Sequence, residues 1–264
     1  MNKLLLNCLM AGIMLLGATT GYAQTATPAK SQQGSGYDRQ GNRLYVGPRY
    51  VSSRTDYGSS KKTGTGFGGS IGYDHEMKGE WYYGAELNYN RPKVKNLIGG
   101  TKSESIQDWQ GALRFGYTWA LGQGIVTPFV GLSYDSSRVT VATGPKSKLA
   151  NYLTEVQLGL RLNWELSKSL DMGLNLTGGY GLAGNVRLTG AKFFSLKDAK
   201  HKIKNGVWSV AAELPIRWHL SGAMENWDIT LSPFFSESRM SYKHFSQANK
   251  TSYMGVEMQI GYMF

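Results

Sequence analysis

The stretch that decides the fold is Met254-Gly-Val-Glu-Met-Gln-Ile-Gly-Tyr-Met-Phe264, at the end of the chain. Its large apolar residues occupy alternate positions, and the residues between them are glycine, glutamate and glutamine, with Met263 as the one large apolar exception. Successive side chains of a β-strand point to opposite faces, so this pattern predicts a strand with one apolar face and one polar face. Soluble domains seldom end on such a strand with an aromatic residue.

The same alternation recurs in nine earlier segments of the chain. The clearest is residues 155–164, where Val156, Leu158, Leu160, Leu162 and Trp164 alternate with Glu155, Gln157, Gly159, Arg161 and Asn163. Ten such segments predict an all-β, antiparallel, up-and-down transmembrane β-barrel of ten strands over residues 42–264, with eight or twelve strands as the alternatives. The pattern does not assign the faces of the first segment, residues 42–51, because Gly47 and Pro48 interrupt it.

The connections between these segments alternate between short and long. Short turns are predicted at residues 78–80, 121–124, 165–169 and 221–226, and long links near 52–65, 91–104, 135–150, 183–205 and 236–251. This asymmetry is typical of Gram-negative outer-membrane barrels with both termini in the periplasm. Five of the seven tryptophans lie beside the short turns and predict an aromatic girdle at the membrane boundary: Trp81, Trp119, Trp164, Trp218 and Trp227.

The N-terminal residues 1–23 have the features of a secretory signal peptide. Lys3 precedes an apolar stretch over residues 4–16, and the small residues Gly21 and Ala23 come before the expected cleavage point. Residues 24–41, rich in Gln, Thr, Ser and Gly, predict a flexible periplasmic tail. No later window reaches the ~18 apolar residues of a spanning helix. The one cysteine, Cys8, lies within the predicted signal peptide, so we expect no disulfide.

Charged residues within the predicted strands fall almost entirely on the polar face, which would line the lumen. We predict a charge network there, formed by Glu86, Arg114, Glu155, Arg161, Glu213, Arg217 and Glu257. A ten-stranded barrel is narrow, and unpaired charges in a confined space are costly. The sequence therefore predicts a packed polar core or a pore gated by ion pairs rather than an open channel.

The formal net charge of +11 is concentrated in the five long links, which hold 19 basic and 5 acidic residues. A basic surface suits phosphates, either of nucleic acid or of lipopolysaccharide. The predicted export argues against nucleic acid as a partner. We therefore predict a lipopolysaccharide-facing loop, with simple solvated loops as the alternative, and its residues are Arg187, Lys192, Lys197, Lys200, Lys202 and Lys204.

Two stretches resemble known outer-membrane barrels. Phe67-Gly-Gly-Ser-Ile-Gly-Tyr73, followed by Trp81-Tyr-Tyr-Gly-Ala-Glu-Leu87, is similar to small outer-membrane β-barrel domain proteins of the broad OmpA, OmpX and opacity-like porin group. The end of the chain resembles the C-terminal assembly signal of these barrels, with Ile260, Tyr262 and Phe264 in the matching positions. The resemblance implies an outer-membrane fold, contact with membrane lipid and recognition by the barrel-assembly machinery. It supplies no catalytic motif.

These observations predict a non-enzymatic outer-membrane barrel with a structural role, an adhesion or surface-binding role, or a narrow gated pore. The alternative is a lipid A deacylase-like hydrolase, because His244-Phe245-Ser246 precedes a strand that contains Glu257 and a base-activated serine is conceivable. Glu257 argues against this alternative, because its position in the alternating pattern places it on the face that would line the lumen. We expect no cofactor, no metal site and a monomer.

Overall fold

The computed structural model of the protein describes residues 41–57, 60–95, 103–141, 147–189, 199–202, 207–240 and 249–264. The predicted signal peptide and all but the last residue of the predicted tail lie outside these ranges. The described residues form a single sheet of thirteen strands. The strands are β1 (Gly41–Tyr57), β2 (Ser60–Glu76), β3 (Trp81–Lys95), β4 (Ser103–Tyr117), β5 (Trp119–Leu121), β6 (Gly124–Val141), β7 (Ser147–Ser167), β8 (Leu170–Thr189), β9 (Ala199–Lys202), β10 (Trp208–Glu213), β11 (Ile216–His219), β12 (Trp227–Met240) and β13 (Asn249–Met263).

The sheet closes on itself, because β13 pairs with both β12 and β1. All pairings are antiparallel, and the closing seam runs from Arg43 opposite Met263 to Asp56 opposite Lys250. β10 and β11 occupy one position between β8 and β12, and β5 continues the line of β4 beside β6. β9 adds to the end of β8. The prediction of a ten-stranded antiparallel barrel is therefore confirmed.

A proline interrupts the eighth barrel strand, although apolar residues alternate over residues 208–218 of the sequence. Pro215 has no N–H to donate to the ladder, so β10 ends at Glu213 and β11 begins at Ile216. The carbonyl of Pro215 still accepts a hydrogen bond from the Gly173 N–H (2.7 Å), and the Leu214 N–H donates to the Pro233 carbonyl (3.0 Å). The barrel wall thus stays hydrogen-bonded across the interruption.

Long links in the sequence prove to be largely strand. Residues 52–65 were predicted as a link, yet β1 reaches Tyr57 and β2 begins at Ser60, with two residues between them. The longest strand, β7, has 21 residues, whereas about 9–11 residues cross a bilayer. The strands therefore continue beyond the membrane at this end. Outside the bilayer neither face of a strand needs to be apolar. The alternation of apolar and polar residues is therefore lost there, although the hydrogen-bonded strand continues.

The barrel has an apolar outside and a charged inside, the reverse of a soluble domain. Leu158 is 64% exposed and Phe67 is 72% exposed, whereas Asp228 is fully buried and Glu155 is 2% exposed. A wall of exposed leucine, valine and aromatic side chains around a closed sheet is the surface of a membrane-spanning barrel. In the part of the chain that the structure describes, no helix is long and apolar enough to span a membrane.

Large interior rings pack against glycines of neighbouring strands. A Cβ at Gly159 would overlap the Phe129 ring, and a Cβ at Gly72 would overlap the ring of Tyr45. These glycines leave space in which the aromatic side chains cross the narrow lumen. The glycine-rich composition of the strands therefore serves to fill the interior with large side chains.

Candidate functional site

The lumen near the short turns contains two arginine-centred ion-pair groups. Arg161, on β7, has its Nη1 atom 2.8 Å from Asp74 Oδ1 and its Nε atom 3.6 Å from Glu76 Oε1. Its guanidinium also donates to the hydroxyl of Tyr82, a fully buried residue on β3. Because β4 and β6 separate β7 from the neighbouring strands β2 and β3, this group ties β7 to β2 and β3 across the lumen.

The second group joins β1 to the last two strands. Arg43 makes a bidentate contact with Asp228, with Nε–Oδ2 at 2.9 Å and Nη2–Oδ1 at 2.7 Å. Its guanidinium also donates to Thr230 (3.0 Å) and to Gln259 (3.2 Å). Two parallel N–H···O bonds fix both direction and distance, so Arg43 is held rigidly in place. It therefore holds β1 to β12 and β13 from the inside of the seam.

The middle of the lumen has two more pairs. Arg114 lies 2.7 Å from Glu86, and Arg49 lies 3.0 Å from Glu257. The Arg49 guanidinium also stacks over the Phe234 ring at 4.4 Å from the centroid. These contacts occupy the lumen at the depth where a channel would need space.

Towards the long-loop end, the lumen is acidic. The Glu155 carboxylate accepts a hydrogen bond from Ser209 (3.0 Å), and Asp108 accepts one from Tyr253 (2.8 Å). Neither carboxylate, nor that of Asp135 on the same inner face, forms an ion pair with a described residue. In the described part of the barrel, the two ends of the lumen therefore differ: the carboxylates at the short-turn end have basic partners, whereas these three at the other end have no ion-pair partner.

A small cavity remains at the short-turn end. Its volume is about 20 Å³, which holds about one water molecule. The cavity is lined by Gly41, Arg43, Asp74, Glu76, Arg161, Arg217 and Met263. Arginines and carboxylates therefore meet across this space with little room between them.

The structure places the predicted lumen residues on the inner face and brings some of them together. Glu86 and Arg114 are direct partners, while Glu213 accepts a hydrogen bond from Asn175 (3.1 Å) and Arg217 lies at the small cavity. Glu155, Arg161 and Glu257 find their partners outside the predicted set. The sequence missed Arg43 and Arg49 because the face of β1 was unassigned, and it missed Tyr82 because aromatic residues precede and follow it.

Three residues of the predicted lipopolysaccharide-facing loop lie on strands. Arg187 belongs to β8 and is in register with Lys200 of β9, and Lys202 is in register with Asn185. The loop assignment is wrong for these three because the alternation at the end of β8 is short and interrupted by charge. Lys192, Lys197 and Lys204 lie outside the described residues.

The predicted girdle tryptophans surround the short-turn end. Trp81 stacks on Phe115 at 5.0 Å between ring centroids, and Trp227 lies 5.0 Å from the ring of Tyr262. Trp119 and Trp218 are exposed on the outer face, and Trp164 is half-buried. The C-terminal residues Ile260, Tyr262 and Phe264 are exposed on the same outer face.

The arrangement around Glu257 does not favour the hydrolase alternative. Glu257 is 3% exposed inside the barrel, where Arg49, Ser70 and Gln259 bind its oxygens. His244 and Ser246 lie outside the described residues. In the described ranges, no group of His, Cys, Asp and Glu could hold a metal ion.

Basic residues on the outer face form a further feature that the sequence assigned to loops. Near the long-loop end, seven described side chains point outward from the strands: Arg54, Lys61, Arg91, Lys93, Arg138, Arg239 and Lys250. Two acidic residues, Asp56 and Glu237, share this region. If the alternation of faces along β3 and β6 is continued beyond their last apolar residues, it places Arg91 and Arg138 on the outer face. The sequence could therefore have identified these two residues as outward-facing.

Several solved structures are similar to this chain. The translocator domain of the autotransporter NalP from Neisseria meningitidis is 13% identical with a TM-score of 0.44, over 98% of this chain and 96% of that chain. The attachment invasion locus protein Ail of Yersinia pestis is 11% identical with a TM-score of 0.36, over 84% and 99%. Neisserial surface protein A is 9% identical with a TM-score of 0.35, over 84% and 97%. No protein-family model matches the chain, and no curated protein matches its sequence.

Proposed function

We propose that this protein is a non-enzymatic, integral outer-membrane β-barrel that acts as a structural and surface-binding element with a sealed lumen. The observation that carries the proposal is the filling of the interior. Arg43, Arg49, Arg114 and Arg161 each pair with a carboxylate inside the lumen, and the Arg161–Asp74 pair crosses it from β7 to β2. The cavity at the short-turn end has room for about one water molecule.

The proposed orientation places the short turns and both ends of the barrel sheet in the periplasm. Gly41 of β1 and Phe264 after β13 lie together at the short-turn end, where the Phe264 N–H donates to the Asn42 carbonyl (3.0 Å). Short turns are typical of the periplasmic side, and the extended strands are typical of the outer side. The outward-facing basic residues at the extended end support the same orientation, because lipopolysaccharide presents phosphates there.

Partners follow from this location. We propose that the basic residues between Arg187 and Lys204 contact lipopolysaccharide phosphates. We also propose that the barrel-assembly machinery recognises the terminal strand through Ile260, Tyr262 and Phe264, and that the barrel is a monomer. The support for the lipid contact is the concentration of basic residues in the long links, at the end of the barrel opposite the short turns.

Reconstitution in planar lipid bilayers is expected to give no conductance steps. The ion pairs and large side chains fill much of the described interior, so we expect ions to have no continuous route through it. A large-pore porin, reconstituted in the same way, is the control for insertion. Well-resolved, cation-selective steps would contradict the sealed lumen and would support the narrow gated pore instead, since lumen acids outnumber lumen bases.

A further inference from the structure

The outward-facing side chains change abruptly from aromatic to basic along several strands. On β3, Tyr89 is followed at alternate positions by Arg91 and Lys93, and on β6 Tyr134 is followed by Ser136 and Arg138. Aromatic side chains prefer the boundary between lipid and water. The basic residues next to them therefore lie at the depth of the lipid headgroups.

The opposite end of the barrel lacks this basic row. Its described turns over residues 77–80, 121–124, 165–169 and 220–226 contain only two basic residues, Lys78 and Lys168, together with three glutamates. Both membrane boundaries have exposed tryptophans, but only one has an excess of positive charge. The asymmetry suits a partner that is anionic on one side of the membrane.

Three of the basic residues form a compact group on the outer face of β3, β4 and β6, which we call the basic wall site: Arg91, Lys93 and Arg138. The Arg91 Nε donates to Ser105 Oγ of β4 at 3.0 Å, and Lys93 is in register with Ser105. Arg138 is in register with Gln107, also on β4. Adjacent strands lie about 4.8 Å apart, so the backbones of Arg91 and Arg138 are separated by about 10 Å.

The charges of the basic wall site are not neutralised by an ion pair with any neighbour that the structure describes. Elsewhere on this rim, Arg54 lies 3.2 Å from Asp56, and Lys250 lies 2.8 Å from Glu237. In contrast, none of the three wall-site residues forms an ion pair with a described residue, and all three are exposed. Their positive charge is therefore available to an external anion.

An apolar surface continues directly below the basic wall site. The rings of Tyr89 and Trp109 lie 4.6 Å apart, and Trp109 is 44% exposed. Next along β4 on the outer face is Gly111, in register with Leu87 on one side and Tyr134 on the other. Because glycine has no side chain, we expect a recess in the wall here between two large neighbours, and such a recess suits an acyl chain.

We infer that the basic wall site and the recess below it bind one molecule of a phosphorylated, acylated lipid of the outer leaflet, the lipid A moiety of lipopolysaccharide. The cations meet the headgroup phosphates, the Tyr89–Trp109 pair meets the headgroup boundary, and the recess receives an acyl chain. The inference rests on the proposed membrane location and orientation. It adds a lipid site on the barrel wall, separate from the contact proposed for the 192–204 segment.

The test measures binding of purified lipid A to the detergent-folded protein by native mass spectrometry. The triple variant Arg91→Gln, Lys93→Gln, Arg138→Gln is expected to bind on the order of 100-fold more weakly. The double variant Lys78→Gln, Lys168→Gln removes charge from the other end and is expected to bind like the wild type. Wild-type protein is also expected to bind lipid A better than the same lipid with its phosphates removed.

Heat-modifiable gel migration establishes that each variant is folded, and these exposed substitutions are expected to leave folding intact. Unchanged lipid A binding by the folded triple variant would overturn the wall site. If a Lys192→Gln, Lys197→Gln, Lys204→Gln variant lost binding at the same time, the proposed loop contact would stand without it. Full competition by inorganic phosphate would overturn the lipid assignment. Failure of the wild type to insert into membranes would instead overturn the proposed function.

Discussion

Replacing Arg161 by methionine is expected to lower the free energy of unfolding by about 3–5 kcal/mol. Arg161 is 6% exposed and lies within ion-pair distance of Asp74 and Glu76. Methionine retains much of the volume but leaves two buried carboxylates without their cation, and an unpaired buried charge is costly. The measurement is denaturant unfolding of the protein folded into lipid vesicles, followed by tryptophan fluorescence.

The matched control is Arg138→Met, which removes an exposed arginine that pairs with no described residue. Its effect is expected to stay within about 0.5 kcal/mol. Adding Asp74→Asn and Glu76→Gln to the Arg161→Met variant is expected to recover roughly half of the lost stability, because a buried amide costs less than a buried charge. A loss below about 1 kcal/mol for Arg161→Met would show that Arg161 does not neutralise this end of the lumen.

Replacing Leu158 by arginine is expected to lower the free energy of folding into a bilayer by roughly 2–4 kcal/mol. Leu158 lies on the outer face near the middle of the apolar stretch of β7 and is 64% exposed. At that depth an arginine side chain must enter hydrocarbon or distort the bilayer. The measurement is the same vesicle unfolding experiment.

Two controls separate the effect of lipid from that of packing. Leu158→Ala reports the loss of the side chain alone. Ser136→Arg introduces the same charge on the outer face of β6, beside Arg138, where a cost of only about 0–1 kcal/mol is expected at the interface. On a water-exposed wall, Leu158→Arg would change stability by less than about 0.5 kcal/mol, and that result would contradict a lipid-facing surface.

Strand faces were predictable wherever one face is apolar and the other polar. On β7, Val156 to Trp164 point outward at alternate positions, and Glu155 to Asn163 point inward, as the period-2 pattern requires. Lipid on one side and a charged lumen on the other impose this contrast on every spanning segment. The strand number and the antiparallel barrel followed from counting these segments.

β1 shows where the pattern contains too little information. Leu44, Tyr45 and Val46 are consecutive large residues, so the period-2 signal disappears. The structure points Leu44 and Val46 outward and Tyr45 inward, where its ring packs in the space left by Gly72. The register of β1 with β2 and β13 determines which face of β1 points into the lumen. That register cannot be read from the sequence of β1 alone.

The ion-pair partners of the lumen residues could not be predicted from the sequence either. Arg161 and Asp74 are 87 residues apart, and they meet only because the barrel closes. The alternation along each strand places both side chains in the lumen. The depth at which each side chain lies depends on the tilt of the strands, so the alternation alone does not show that the two meet. The basic wall site was missed for a related reason: β3 and β6 continue past the membrane, so Arg91 and Arg138 project from strands rather than from loops.

The exposed apolar wall is expected to face lipid between two aromatic boundaries. The most direct measurement is the quenching of tryptophan fluorescence in vesicles made with lipids brominated at different depths. Five of the seven tryptophans lie beside the short turns, and Trp109 and Trp208 lie towards the long-loop end. Six of the seven are exposed on the outer face. We predict strong quenching by bromines near the headgroups and weak quenching by bromines at the bilayer centre. Equal, negligible quenching at every depth would contradict the account, because it would place these rings in water.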